Sequence, residues 1–578
     1  MRTIVTGFFL VTVMVGGLSA QTVVQSRGVD ARVDYASLLD YGPWDDRNYQ
    51  LTADDLELLG ENEIELSVRA PLFFRVEIRK RFGNLPTTGP IQYPRSTLPR
   101  FLTGYGGFLI DGMLYRNAVL VDGRYAVDTT IPWMTEEEFE EYRSKSLTGD
   151  VRVTNPTGGA ESAVAINPVN PDIVISGSNG PSSGQQMQYS TNGGESWNVA
   201  AALPLGDTCC DPTVAWSSDG AKAYAATLGW SSSTNYIYRS ADGGQTWTDL
   251  DTEPGGDPRR EVGSGTDKEY LHVDTHATSS CVDDIYLTWH EGNTLKFSRS
   301  TDMAHTWSSP ISISSGFSER GIGSDITSDK NGTVYYFWPA FNSKKILVRT
   351  SDDCGATFDP TVEVAGTQAA YDFPVPSMNN RNVFVYVAAA ADLTSGPFGG
   401  SVYASWTDST APTSGSASNN HARIQVAYSR DGGTTWNTST PHETADANSV
   451  DRWHQWLAVG PDGTVHAVFY DTRNDPTRTS VDLYWSTSTD GAVTWSTPEK
   501  LTSEISPHIG DFFQFGDYNG LDVVMSELIA VFTDNRNEGG GTSDSVDIYA
   551  AGRVLVDSGI FADDFETGNL GRWSSSLP

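Results

Sequence analysis

The sequence predicts an all-β, seven-bladed propeller, and three observations carry that prediction. First, the pattern Ser-x-Asp-x-Gly-x-Thr-Trp recurs six times with small deviations, from Ser190, Ser240, Ser300, Ser351, Ser429 and Ser488. Its third residue is Asn192, Asp242, Asp302, Asp353, Asp431 or Asp490, and its last is Trp197, Trp247, Trp307, Phe358, Trp436 or Trp495. The copies begin 50 to 78 residues apart, a period that fits one four-stranded unit each. Second, the runs between boxes, such as Val334-Tyr-Tyr-Phe-Trp338 and Val465-His-Ala-Val-Phe-Tyr470, have the β-branched and aromatic make-up of strands. Third, the first strands of these units number seven, starting near Glu161, Asp211, Asp267, Ser324, Val375, Trp453 and Asp517. The seventh unit, from Asp517 to about Arg553, has no box and no fourth strand. Asp150-Val-Arg-Val-Thr154 is expected to supply that strand and close the ring without an unpaired edge. A six-bladed ring is the alternative.

The elements follow in chain order. Residues 1–20 read as a secretory signal peptide, with Arg2, an apolar run from Ile4 to Leu18, and the small-residue site Leu18-Ser19-Ala20. Residues 21–149 fall outside the repeat and form an accessory region or propeptide; their aromatic and apolar content suffices for packing, and their one helix-like segment runs from Thr135 to Ser144. Residues 150–556 are the propeller. Residues 557–578 form a short tail, too short to fold by itself.

The 578 residues carry a formal charge of −35, which argues against nucleic acid or an anionic membrane as the main partner. No later run has the apolar length of a membrane span. Export to the periplasm or medium of a bacterium, as a monomer, is the expectation. Cys209, Cys210, Cys281 and Cys354 are too few for a disulfide scaffold, and export favours their oxidation. Four thiols allow three pairings, among them a ring closed by the adjacent Cys209 and Cys210.

Within each box the acid and glycine suit a tight turn between third and fourth strands, and the aromatic ring packs between sheets. These are structural tasks. The opposite face collects polar residues at the starts of first strands and the ends of second strands: Glu161, Asp211, Asp267, Glu269, Arg452, His454, Asp517 and Tyr518 from the former, His290, Tyr470, Asp471, Arg473, Asp534 and Arg536 from the latter. A ring of such carboxylates can hold a structural calcium ion, although no cofactor is required.

The six boxes resemble those of the Asp-box, or BNR-repeat, propellers, whose best-known members are the sialidases; the resemblance covers residues 150 to 555. It implies an active site on the face away from the boxes and a glycan or glycoconjugate substrate that is acidic or decorated. Sialidases grip a carboxylate with three arginines, whose planar forks match it, and use a Tyr–Glu nucleophile with an Asp acid. On that pattern Arg452, Arg473 and Arg536, with Asp471 and Asp534 beside them, would bind substrate. Tyr518, or alternatively Tyr470, would be the nucleophile, Glu269 its base and Asp211 the acid. Arg152-Val-Thr-Asn-Pro156 departs from the Arg-Ile-Pro motif of sialidases, and seven units depart from their six blades. Two rival readings are a propeller that only binds glycan or protein, and a lyase with a Tyr or His base beside an Arg.

Overall fold

In the computed structural model the described residues are 150–180, 184–250, 258–525, 527–536 and 546–555, together with short strands between 21 and 135. The expected signal peptide, residues 136–144 of the helix-like segment and the tail from 557 lie outside them. The chain divides into two compact units, one comprising residues 1–145 with 555–578, the other residues 146–554. In the first unit Gln21–Gln25, Ala118–Val121 and Arg124–Asp128 make a three-stranded sheet, and Arg100–Leu102, Gly107–Ile110, Met113–Tyr115 and Met134–Thr135 make a four-stranded one.

The second unit is a seven-bladed propeller of four-stranded antiparallel sheets. The first strands are Ala160–Ile166, Thr213–Trp216, Thr266–Val273, Asp325–Ser328, Val387–Ala391, Arg452–Val459 and Gly520–Val524. Each touches the next, and the seventh touches the first, so they line the axis. Blade 7 takes its outer strand from the N-terminal side: Val151 pairs with Ala550 and Arg152 with Tyr549. The expected closure by Asp150–Thr154 is therefore found.

One boundary differs. The fifth first strand starts at Val387, not near Val375. Pro374 and Pro376 have no N–H to give a ladder, and Val375 O instead accepts from Met378 N at 2.9 Å in a turn; residues 367–386 form an insertion with a small hairpin, Asp372–Phe373 against Val383–Phe384.

All six boxes lie between third and fourth strands and share one geometry. The serine Oγ donates to Oδ1 of the third residue at 2.8–2.9 Å. That oxygen also accepts the N–H of the seventh residue at 2.8–3.0 Å. The fourth and fifth residues both have positive φ, which explains the glycines there. Each closing aromatic packs toward the preceding blade: Trp247 against Ile175 and Met187 of blade 1, Trp307 beside Tyr224 and Ile237 of blade 2, Trp197 beside Ile529 and Val531 of blade 7. Blade 7 has no box to wedge against blade 6. That seam is held by Asp150, which accepts from Ser503 N at 2.8 Å and pairs with Arg536 at 2.5 Å.

Candidate active site at the propeller axis

The first strands of blades 1, 3 and 6 share a local irregularity that aims side chains at the axis. Register shifts occur at Ser178/Asn179, Asp267/Tyr270 and Trp453/Trp456, leaving extra residues on the inner strand. At these bulges Glu161, Lys268 and His454 have φ of 53°, 46° and 49°, and Asp211 of blade 2 has 55°. Such a backbone is rare for side chains larger than glycine and persists only where surroundings enforce it. Here the preceding blade does so: Thr533 Oγ1 accepts from Glu161 N at 3.2 Å, and Thr407 Oγ1 from His454 N at 3.0 Å. In blade 3 the threonine's part is taken by a carboxylate, for Lys268 N donates to Asp211 Oδ2 at 3.2 Å.

The same N–H also donates to Asp267 Oδ1 at 3.0 Å, so two carboxyl groups converge on one donor. Loss of water, then the charge of Asp211, pushes Asp267 up to about 6 although its side chain is 63 % exposed; a hydrogen bond with the Asp211 carboxyl adds to the rise. Like charges in contact cannot both ionise freely. Tyr518 Oη donates to Asp211 Oδ1 at 3.2 Å. The ammonium of Lys268 lies 3.6 Å from the centre of the Tyr518 ring. Cys209 and Cys210 form a disulfide with each other immediately before Asp211, and Leu228 bonds to both of their backbones.

Glu269 is fully buried, and neither of its oxygens accepts a hydrogen bond from another described residue. Burial, then Asp211, holds its carboxyl well above the usual range. Beyond Tyr518, Glu161 is raised by burial, Asp517 and Asp211. Arg381, from the blade 5 insertion, grips Asp517 with two hydrogen bonds and lies 3.6 Å from Glu161 Oε1. The floor is closed by Tyr270, Trp456, Tyr518 and Pro212, which leave space for about one water, some 10 Å³. The site is a cup rather than a channel.

Of the residues expected at a site, Asp211, Glu269 and Tyr518 come together here. Arg452, Arg473 and Arg536 do not join them, which corrects the expectation of a shared carboxylate grip. Arg452 is buried between Asp471, at 2.6 Å, and Asp446, at 2.6 Å. Arg473 binds the same Asp471 at 2.7 Å and Glu443 at 3.1 Å. Arg536 is held by Asp534 at 2.6 Å and Asp150. Each guanidinium is spent on its own acids, because an unpaired buried charge is too costly to keep. Asp471 and Asp534 are thereby structural partners of these arginines.

Asp267, Lys268, Arg381 and Asp517 complete the cup. Asp267 and Asp517 stand at first-strand starts and fall within the strand-position rule. Lys268 is a lone base between two acids, and Arg381 belongs to an insertion outside the repeat, so neither carried a pattern. Among the described residues the one cluster with metal-ligand spacing is Cys281, Asp284 and Cys354. Its sulfurs are joined as a disulfide and offer no thiolate. A cleft of about 590 Å³ lies on the box side between blades 4 and 5, lined by Lys330, Asp352, Phe398 and Arg430 among others, away from this chemistry.

Residues 34–119 match a family model described as a domain of unknown function, DUF8300. No curated protein sequence matches significantly. Solved structures give limited likeness. An α-L-arabinofuranosidase from Fusarium graminearum in complex with an iminosugar inhibitor shares 12% identity over 60% of this chain and 93% of its own, at a TM-score of 0.37. A protein of unknown function from Dyadobacter fermentans shares 13% over 70% and 98%, at 0.38. An ulvan lyase shares 11% over 58% and 81%, at 0.34.

Proposed function

We propose that this chain is an exported glycan-processing hydrolase that works in the axial cup, on the face opposite the boxes. The observation that carries the reading is the convergence of Asp211 and Asp267 on one N–H, with Asp267 raised to about 6 and open to solvent. Glycosidic cleavage needs a carboxylic acid to protonate the leaving oxygen and a second carboxylate across the bond. In this scheme Asp267 protonates the leaving oxygen as the glycosidic bond breaks, the water that adds to the sugar carbon gives a proton to the carboxylate across the bond, and Asp267 regains its proton from solvent, while Tyr518 holds Asp211 beside it. Asp517, kept paired by Arg381, is the opposing carboxylate. Glu269, fully buried, supports the pair from behind rather than touching substrate, which reassigns it from the base expected by analogy.

The finer Asp-box sialidase reading loses its main support. With Arg452, Arg473 and Arg536 saturated by acids, a substrate carboxylate would meet Glu161, Asp211, Asp267 and Asp517, offset only by Lys268 and by Arg381, which Asp517 already grips. A neutral or decorated glycan suits the cup better. A lyase needs a base, and burial together with Asp211, Glu161 and Glu269 pushes the Tyr518 phenol well above its ordinary value, which makes it a poor one. The two disulfides fit an oxidising compartment and favour export. Incubation with neutral and acidic polysaccharides, followed by chromatography and absorbance at the ultraviolet band of unsaturated uronates, tests the proposal. New reducing ends without that absorbance are expected from the wild type, and at least a hundredfold fewer from Asp267→Asn. An unsaturated product would establish the lyase; binding without turnover of any substrate would leave a lectin-like propeller.

A further inference from the structure

We infer that Phe512 and Phe513 form a subsite for the apolar face of a neutral sugar ring beside the carboxylates, an inference that rests on the glycan-processing reading above. The two rings are 54% and 36% exposed and meet edge to face at 5.3 Å. They adjoin the cup directly. The guanidinium of Arg381 lies 4.6 Å from the centre of Phe512 and 5.2 Å from that of Phe513, while its nitrogens hold Asp517 and approach Glu161. On the insertion side, Phe384 lies 5.8 Å from the same guanidinium and stacks on Tyr386 at 5.0 Å, so an aromatic wall runs on from the exposed pair.

The segment that presents these rings is fixed rather than loose. Gln514 Oε1 accepts from Ile509 N at 2.9 Å and Gly510 N at 3.1 Å, and its Nε2 donates to Ser377 O at 3.2 Å. Asn380 Nδ2 donates to Gly510 O at 2.6 Å, and His508 Nε2 meets Asn379 Oδ1 at 3.1 Å. This strap from blade 7 is thus stitched to the blade 5 insertion, past blade 6. A preorganised loop that holds two large apolar rings in water matches a ligand that covers them. Their size fits one or two sugar rings, whose C–H faces bury on aromatic carbon while hydroxyls stay in water. The acids beneath disfavour an anionic ligand, and two rings fall far short of a protein interface.

Native electrophoresis through gels containing arabinan, xyloglucan, galactomannan or mixed-linkage β-glucan, with pectate as the anionic control, tests the subsite. Retardation by at least one neutral polysaccharide is expected, weakened tenfold or more by Phe512→Ala with Phe513→Ala and retained by the corresponding tyrosine pair. Unchanged retardation of the alanine pair, or wild-type retardation by pectate alone or by no polysaccharide, overturns the subsite. Phenylalanine-dependent binding without turnover leaves the subsite standing and removes the hydrolase reading instead.

Discussion

Asp267 and Glu269 flank one lysine and meet opposite surroundings, because a bulged strand turns one toward water and the other inward. As a proton donor raised to about 6, Asp267 must be protonated to act. Turnover should therefore fall roughly tenfold per pH unit above about pH 6, with that fall absent in the residual activity of Asp267→Asn, and should fall again in acid as Asp517, raised by burial, takes up a proton. Glu269 bears on stability instead. Its folded-state proton affinity exceeds that of the unfolded chain, so its stabilising share is full below about pH 4.3 and is lost as pH rises toward its folded value. Glu269→Gln removes that loss, and its melting temperature should exceed the wild type's by a few degrees at pH 8 with little difference at pH 4. Much of this site was legible in sequence, since Asp211, Asp267, Glu269, Asp517 and Tyr518 all start first strands on the face opposite the boxes. The arginines misled for a physical reason: sequence shows a guanidinium two residues from an acid, as in Asp471–Arg473, but not whether that acid already saturates it. Arg381 was invisible because its insertion obeys no repeat.

At the level of the element, the box is a hairpin built by side-chain hydrogen bonds. Asp302 accepts from Ser300, from Thr306 N and from Thr306 Oγ1. Asp302→Ala should cost about 1–3 kcal/mol in denaturant titration, from the lost bonds and the polar groups left behind, while glycan turnover stays within twofold. A comparable fall in turnover would mean that the box face takes part in function. The same turn chemistry made the blades readable, and the strand alternation made their order readable. The one misplaced first strand lies where prolines interrupt an insertion whose apolar residues, such as Val375 and Val383, are as buried as those of a blade. Apolar content alone does not separate an insertion from a strand.

For the whole molecule, the seam between blades 6 and 7 is where the two ends of the propeller's chain meet. Arg536→Ala strands Asp150 and Asp534 without their cation, and the loss should be about 3–5 kcal/mol by denaturant titration with an unchanged KM. A raised KM at unchanged stability would return Arg536 to a substrate role. The seam also sets an order of events during synthesis. Val151 and Arg152 leave the ribosome before any blade exists, yet their pairing partners, Tyr549 and Ala550, follow almost four hundred residues later, after six blades and most of the seventh. A nascent chain therefore carries an open arc with two unsatisfied edges until Tyr549 and Ala550 have been made, and an open edge invites pairing with a neighbouring chain. Selection on this protein must reach beyond the finished ring, to whatever keeps the arc from meeting another before its own ends meet.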